Sequence, residues 1–410
     1  MRANATLVPV LMRRLYTRTS VLSFACLALL VSSTWGCARL SDEEFAQAFQ
    51  PLEVADLPAS PTNAWADDPK AGALGRALFL DERMSSDGTV SCASCHDSEM
   101  GFGDARAVSL GVEGRAGTRH APGIWNVAYF TEGFVMWDGR ADSLWAQPLG
   151  AIEAVAEMDF TRAEVYWFVL EHYREAYEEV FGAIAVFEDM PRRAKPGDAR
   201  WGALDAERQE AVNRVFVNVG KAIEAYERTL LCTDTRFDRY LRGEEEFTRL
   251  ELRGARSFVV SGCIECHSGA MLSDGKFHNL GISSATPEEA LGRARGQGLV
   301  LASAFNGAGA FSDDTGWGQD KLDRMLREEE DPAILGAFKT PSLRGVSQRG
   351  RWMHDGSVAT LEAAIDHYSN PDDVTPEVGV LSPKFTDPPF RNPGAMEAFL
   401  RTLDCAAPGD

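Results

Sequence analysis

Residues 91–97 read "SCASCHD" and residues 262–268 read "GCIECHS". Cys-x-x-Cys-His places two thiols within one turn of backbone with an imidazole directly behind them, which is what covalent attachment of a c-type haem requires. Cys92 and Cys95 then hold one porphyrin and Cys263 and Cys266 another, with His96 and His267 as proximal iron ligands: two haem c in all. Two other chemistries compete for such pairs. Four thiolates can serve one zinc, but both histidines are then unexplained, and thiol exchange wants a strand-then-helix context that neither pair has.

The stretches leading into the two motifs are cognate. "KAGALGRALFLD" (70–81) sets Leu74, Leu78 and Phe79 on one helical face, and "LELRGARSFVVSGC" (250–263) repeats its glycine-to-phenylalanine spacing, Gly75 to Phe79 and Gly254 to Phe258. This degenerate repeat predicts two related haem units. Between them, "RAEVYWFVLEHYREAYEEVFG" (162–182) and "ERQEAVNRVFVNVGKAIEAYERTLL" (207–231) carry apolar residues every three or four positions, so both predict amphipathic helices. Residues 188–205 between those helices read as a loop, and the acidic, Pro- and Ala-rich residues 41–69 as an extended lead-in. No stretch alternates with period two. The expected class is mainly α, with two c-type cytochrome domains each built around one covalently attached haem: a leader at 1–40, a first domain at 41–235 and a second at 236–410.

Composition agrees with that size. A chain of 410 residues, 45% hydrophobic and 10% aromatic, has apolar material for two domain-sized cores. Its net charge of -20 argues against nucleic acid and anionic membrane surfaces as partners and suits a basic electron carrier. Arg13, Arg14 and Arg18 precede the apolar run "VLSFACLALLV" (21–31), the layout of a secretory leader, so export to the periplasm is expected, with Met12 an alternative start. Gly36 before Cys37 allows a lipid anchor at Cys37, although Thr34 and Trp35 fit that cleavage pattern poorly. Once Cys26, Cys37 and the haem cysteines are set aside, Cys232 and Cys405 remain, each where an amphipathic helix gives way to loop. In an oxidising compartment leftover cysteines pair; the alternative is two unrelated buried thiols.

Longer stretches, "ALGRALFLDERMSSDGTVSCASCHDSEMGFGD", "NVAYFTEGFVMWDGRADSLWAQPLGAIEAVAEM" and "FKTPSLRGVSQRGRWMHDGSVATLEAAIDHY", resemble the bacterial di-haem cytochrome c peroxidase and MauG family over nearly everything after residue 60. The resemblance implies a peroxidatic haem in the first domain and an electron-entry haem in the second. It places Trp137 of "WDGR" between the haems, Glu157 of "AEM" as the distal acid and Gln147 as its companion. A carboxylate there would move protons during peroxide cleavage. The plainer readings are a core tryptophan, and Glu153 and Glu157 sharing an exposed helical face.

The sequence also departs from the family pattern. Where enzymes needing reductive activation carry a distal histidine, this chain has Val112, so the first haem is expected to lack that ligand. His120 takes the place of an asparagine that helps bind calcium, and Arg349 and Arg351 replace a threonine and a proline. These changes count against calcium and put a guanidinium charge there instead. Ala151 replaces a proline, which implies a roomier distal pocket. Counting from His354, the sixth ligand of the second haem falls on Tyr368, as in MauG-type enzymes, with Met353 and His367 as rivals and Met353 read as a packing residue. His172 and His278 carry no motif and read as surface or loop residues. The favoured expectation is a di-haem peroxidase that reduces hydrogen peroxide with electrons from a small cytochrome c or cupredoxin. A MauG-type oxidase acting on a protein substrate and a non-catalytic electron-transfer cytochrome are the alternatives.

Overall fold

The computed structural model describes residues 48–327, 331–369, 371–385 and 392–406. The leader, Met12 and Cys37 lie outside these residues.

Helix α1 (Pro69–Leu80) starts where the Asp68 carboxylate accepts from the Lys70 and Ala71 amides, with Pro69 supplying a preset φ at the first position. It buries Leu74, Leu78 and Phe79, the face expected from the sequence. The 162–182 segment forms α2 (Arg162–Phe168) and α3 (Arg174–Phe181), joined by a π-helical stretch at Val169–Tyr173 that its periodicity did not announce. The intervening segment is not wholly loop: a single helical turn, α4 (Ala199–Gly202), buries Trp201. Helix α5 (Ala206–Glu227) is capped by Asp205, and α6 (Arg249–Val260) opens on a reciprocal Thr248–Glu251 capping box. Strand content among the described residues is small. Phe277–His278 (β1) pairs antiparallel with Phe338–Lys339 (β2).

The repeat is a repeat of packing. A Cβ on Gly75 would lie 1.8 Å from the Ala222 carbonyl oxygen of α5, and one on Gly254 would lie 1.9 Å from the Ala395 carbonyl oxygen of α7 (Pro393–Leu400). Both crossings therefore exist only because glycine lets two helix backbones touch. The partner helices are themselves cognate: "AIEAYERTLLC" (222–232) and "AMEAFLRTLDC" (395–405) match position for position at Ala, Glu, Ala, Arg, Thr, Leu and Cys. Phe79 meets Tyr226 at 5.2 Å, and Phe258 meets Phe399 at 5.4 Å, both edge to face. The final residues of these matched stretches, Cys232 and Cys405, are joined as a disulfide with Cα atoms 5.4 Å apart, as the leftover-cysteine argument expected.

One apolar cluster gathers around α1 and α5 and another around α6 and α7. Beneath the disulfide, Arg344 makes a bidentate pair with Asp238 at 2.7 and 2.8 Å, and both side chains are 0% exposed. Arg344 also donates to the Cys232 carbonyl, and the Asn126 amide group clasps the same residue through its N–H and C=O. The lead-in is likewise packed: Ser60 and Asn63 donate to the buried Glu224 carboxylate of α5.

Candidate haem cavities and the wall between them

Each Cys-x-x-Cys-His forms one tight turn. The His96 amide donates to the Cys92 carbonyl at 2.9 Å, and the His267 amide to the Cys263 carbonyl at 2.8 Å, so the cysteines and the imidazole face the same way. Both imidazoles are oriented alike: Nδ1 of His96 donates to the Phe102 carbonyl at 2.9 Å and Nδ1 of His267 to the Leu272 carbonyl at 3.0 Å. That bond leaves Nε2 as the lone-pair nitrogen, the tautomer that a metal ligand needs. One cavity contains Cys92, Cys95 and His96 in its wall, and a second contains Cys263, Cys266 and His267.

The residues fit haem c better than either rival chemistry. The two cysteine pairs line different cavities, so they cannot share one zinc, and all four thiols are unpaired. Burial pushes the Cys92 and Cys263 thiols up to about 12, which keeps them from the thiolate form that thiol exchange uses.

Glu157 does not lie on a shared helical face with Glu153. The short helix Gln147–Glu153 ends at Glu153, whose carboxylate is taken by Arg162, and the chain then turns so that Glu157 lines the first cavity. Glu157 is itself exposed, as the plainer reading expected, and it is also one of the residues that line the cavity. Surrounding protein raises its pKa by desolvation, with Arg140 opposing. The Val112 amide donates to the Glu157 carbonyl at 2.8 Å, so the residue replacing a histidine braces the acid's backbone. Gly111 beside it is obligatory for that approach, since a Cβ would lie 2.2 Å from the Ala156 carbonyl oxygen. Gln147, Pro148 and Ala151 line the same cavity.

The second cavity is closed differently. Tyr368 lines it, its phenol pK raised by burial, while His367 turns away to the Leu280 carbonyl and stacks on Phe385. Met353, expected to be only a packing residue, also lines this cavity from a left-handed conformation (φ 69°) in the "MHDG" turn. That turn has a counterpart in the "MWDG" turn, where Met136 has φ 71°; Gly139 and Gly356 have φ 67° and 66°. Isolated bridges Val135–Ala141 and Trp352–Val358 close both turns. Counted from these two turns, Ala151 in the first cavity and Tyr368 in the second hold the same register.

The two cavities share a wall made of His120, Trp137, Lys339 and Pro341. Trp137 is 8% exposed, and its indole N–H donates to the His120 carbonyl at 2.8 Å. Its own carbonyl accepts from the Lys339 amide at 2.7 Å. Lys339, which sequence reasoning passed over, sits 3.6 Å from the Phe130 ring centroid, and burial pulls its pKa down to about 7. His120 is buried beside it, with Nδ1 on the Arg106 carbonyl. Arg349 is buried among carbonyls, donating to that of Ser342 at 3.1 Å; Arg351 lines the second cavity.

His278 is a correction. It is neither a loop nor a surface residue but sits in β1 and lines the second cavity, held by Asp274 at 2.9 Å and Ser382 at 3.2 Å. Burial pulls its pKa down, yet Asp274 and the adjacent Cys266 outweigh burial and set it at about 9. His172, by contrast, is exposed in the π-helical stretch, as expected. Nothing local marks His278; the short strand pairing carries it inward.

A mainly helical chain with two Cys-x-x-Cys-His cavities and one tryptophan in their common wall has the build of a di-haem c-type cytochrome. Residues 69–246 match the family model for di-haem cytochrome c peroxidase. The chain is 31% identical to cytochrome-c peroxidase IdrP1 of Denitromonas iodatirespirans, over 84% of this chain and 83% of that one. It is 30% identical to the methylamine utilization protein MauG of Methylorubrum extorquens, over 82% and 78%. A crystal structure of a MauG-like protein associated with microbial copper homeostasis superposes with a TM-score of 0.58 at 26% identity, over 87% of this chain and 93% of that one. The chain belongs to the di-haem cytochrome c peroxidase and MauG family, a family of oxidoreductases whose membership implies haem c cofactors.

Proposed function

We propose that the protein is a periplasmic di-haem peroxidase that reduces hydrogen peroxide to water with electrons from a small cytochrome c or cupredoxin. The observation that carries this reading is the inequality of the two cavities. Ala151, Gln147 and Glu157 leave room and an acid in the first, whereas Tyr368 fills the matching register in the second.

Haem c, when bound, supplies the iron for peroxide cleavage in the first cavity and for electron entry in the second. Each peroxide takes two electrons and two protons and leaves as two waters. Glu157, its carboxyl raised by desolvation, accepts a proton from one peroxide oxygen and gives it to the other, so that the departing oxygen leaves as water. Gln147 orients the peroxide through its amide. Trp137 offers electrons a route through the common wall, and Arg349 supplies positive charge where relatives use calcium.

Tyr368 also supports a second reading, a MauG-type oxidase that draws electrons from a partner protein, because phenolate ligation favours oxidised iron. One experiment tests the first reading: an EPR spectrum of the as-isolated ferric protein, followed by peroxide and a reduced small carrier. High-spin iron that reacts without prior reduction, with carrier oxidised in step with peroxide, is expected. An all-low-spin, peroxide-inert protein would overturn both enzymatic readings, and peroxide reactivity without carrier oxidation would favour the oxidase.

A further inference from the structure

Two matched positions of the cognate helices face the cavities: Ile223 and Met396 are both apolar, and only the second pair differs in polarity. In "AIEAYERTLLC" the residue before the shared arginine is Glu227, and in "AMEAFLRTLDC" it is Leu400. Glu227 lines the first cavity together with Cys92, and Leu400 lines the second. Leu400 is the residue that an apolar wall calls for. Glu227 is 5% exposed, and its Oε2 has no hydrogen-bond partner. A buried carboxyl without a partner opposes folding, so a structural role alone does not account for it.

We propose that Glu227 is the proton partner of the first haem, taking up one proton when that haem gains an electron and releasing it when the electron leaves. The balance is one electron to the iron and one proton from solvent to the carboxylate, so no net charge is added to the buried cavity. The inference rests on a haem in the first cavity and goes beyond the peroxidase reading, since it holds equally for an oxidase.

The surroundings suit the task. Burial and the nearby Glu224 lift Glu227 to about 8, so its proton is exchangeable in the neutral range. The titratable groups that sense it are Glu224 and Tyr226 on its own helix and Cys92 in the cavity wall. Glu224 is occupied by Ser60 and Asn63. The neighbouring cations are engaged elsewhere: Lys221 with Asp313, Arg228 with Asp67 and Arg76 with Tyr226. No partner competes for the Glu227 proton, and the second haem, facing Leu400, is a built-in control for titration of the porphyrin's own carboxylates.

The test is spectroelectrochemical titration of both haems in the intact holoprotein from about pH 6 to 9. In the wild type the reduction equilibrium of the first haem should fall up to tenfold per pH unit, about 59 mV for one electron at full coupling, while the second changes much less. Glu227→Gln should flatten the first haem to the level of the second. It should also remove a protonated-carboxyl band from the reduced-minus-oxidised infrared difference spectrum. An unchanged pH slope in Glu227→Gln would overturn the proposal whatever happens to peroxide turnover. If that variant loses haem, Leu400→Glu serves instead: the second haem should gain a pH slope, and a flat response there would overturn the idea equally.

Discussion

The indole N–H of Trp137 donates to the backbone carbonyl of His120, and both residues line both cavities. The acceptor is an amide oxygen and not a base, so an electron leaving the indole has no neighbour at that atom to take its proton. Trp137→Phe removes one buried hydrogen bond, about 1 kcal/mol of stability, and the indole proposed as the electron route. Both haems should remain attached, while peroxide-driven oxidation of the second haem in a single turnover slows by roughly tenfold or more, about 1.4 kcal/mol on the barrier. Stopped-flow spectra at the two Soret components check this. An unaltered rate would reduce Trp137 to a packing residue.

Glu157→Gln keeps the shape of the side chain and removes its proton traffic. Peroxide cleavage should slow by roughly 100-fold or more, the usual scale for a positioned acid–base group, with haem content and fold unchanged. Near wild-type turnover would show that the acid facing the first cavity is not used.

Gly75 and Gly254 predict matching failures. Alanine at either would drive a methyl into a carbonyl on the facing helix, at 1.8 or 1.9 Å before relaxation. Each should destabilise by at least about 1–3 kcal/mol, the overpacking range. Gly150 is the contrast: it is helical with open space around it, so Gly150→Ala should be neutral or stabilise by roughly 0.5–1 kcal/mol. Denaturant midpoints of the three variants separate the cases.

Stability should also fall as pH rises through the neutral range. Glu227 has its carboxyl raised to about 8 by burial, above the ordinary 4.5 of a glutamate, so the folded chain holds a proton that the unfolded chain has already lost. The contribution is therefore full below about pH 4.5 and is lost progressively as pH climbs toward 8. Melting temperatures against pH should show this decline in the wild type and a shallower one in Glu227→Gln.

Replacing Cys232 and Cys405 together by serine reopens a loop 173 residues long. The chain-entropy model gives on the order of 4 to 5 kcal/mol for such a loop, an upper figure. Calorimetry of the double variant should show a clear loss of Tm, and an unchanged Tm would mean that Arg344–Asp238 and the Asn126 clasp hold this region unaided.

The legibility of the molecule follows the range of its interactions. The two Cys-x-x-Cys-His turns and the faces of α1, α5 and α6 are local patterns, and they stand where the sequence puts them. Trp137, Gln147, Glu157 and Tyr368 were reached through resemblance of long motifs, and each lines a cavity. His278, Lys339 and Glu227 were missed because nothing within a few residues distinguishes them from surface groups; a two-residue strand pair, a shared wall and a helix crossing bring them in. The π-helical stretch at 169–173 is equally silent in the periodicity. One signal was present and unused: "AIEAYERTLLC" against "AMEAFLRTLDC" extends the repeat to the helices that receive Gly75 and Gly254, and it would have exposed the Glu227–Leu400 difference directly.

The common wall has a consequence for how this chain tolerates change. Since His120, Trp137, Lys339 and Pro341 each border both cavities, a substitution that repacks one side displaces atoms that the other side uses. Paired substitutions across the wall should be non-additive, and the order in which they are acquired matters. A descendant altering its first cavity must carry the second along, so the two halves of the repeat, free to diverge at Glu227 and Leu400, evolve as one unit along this seam.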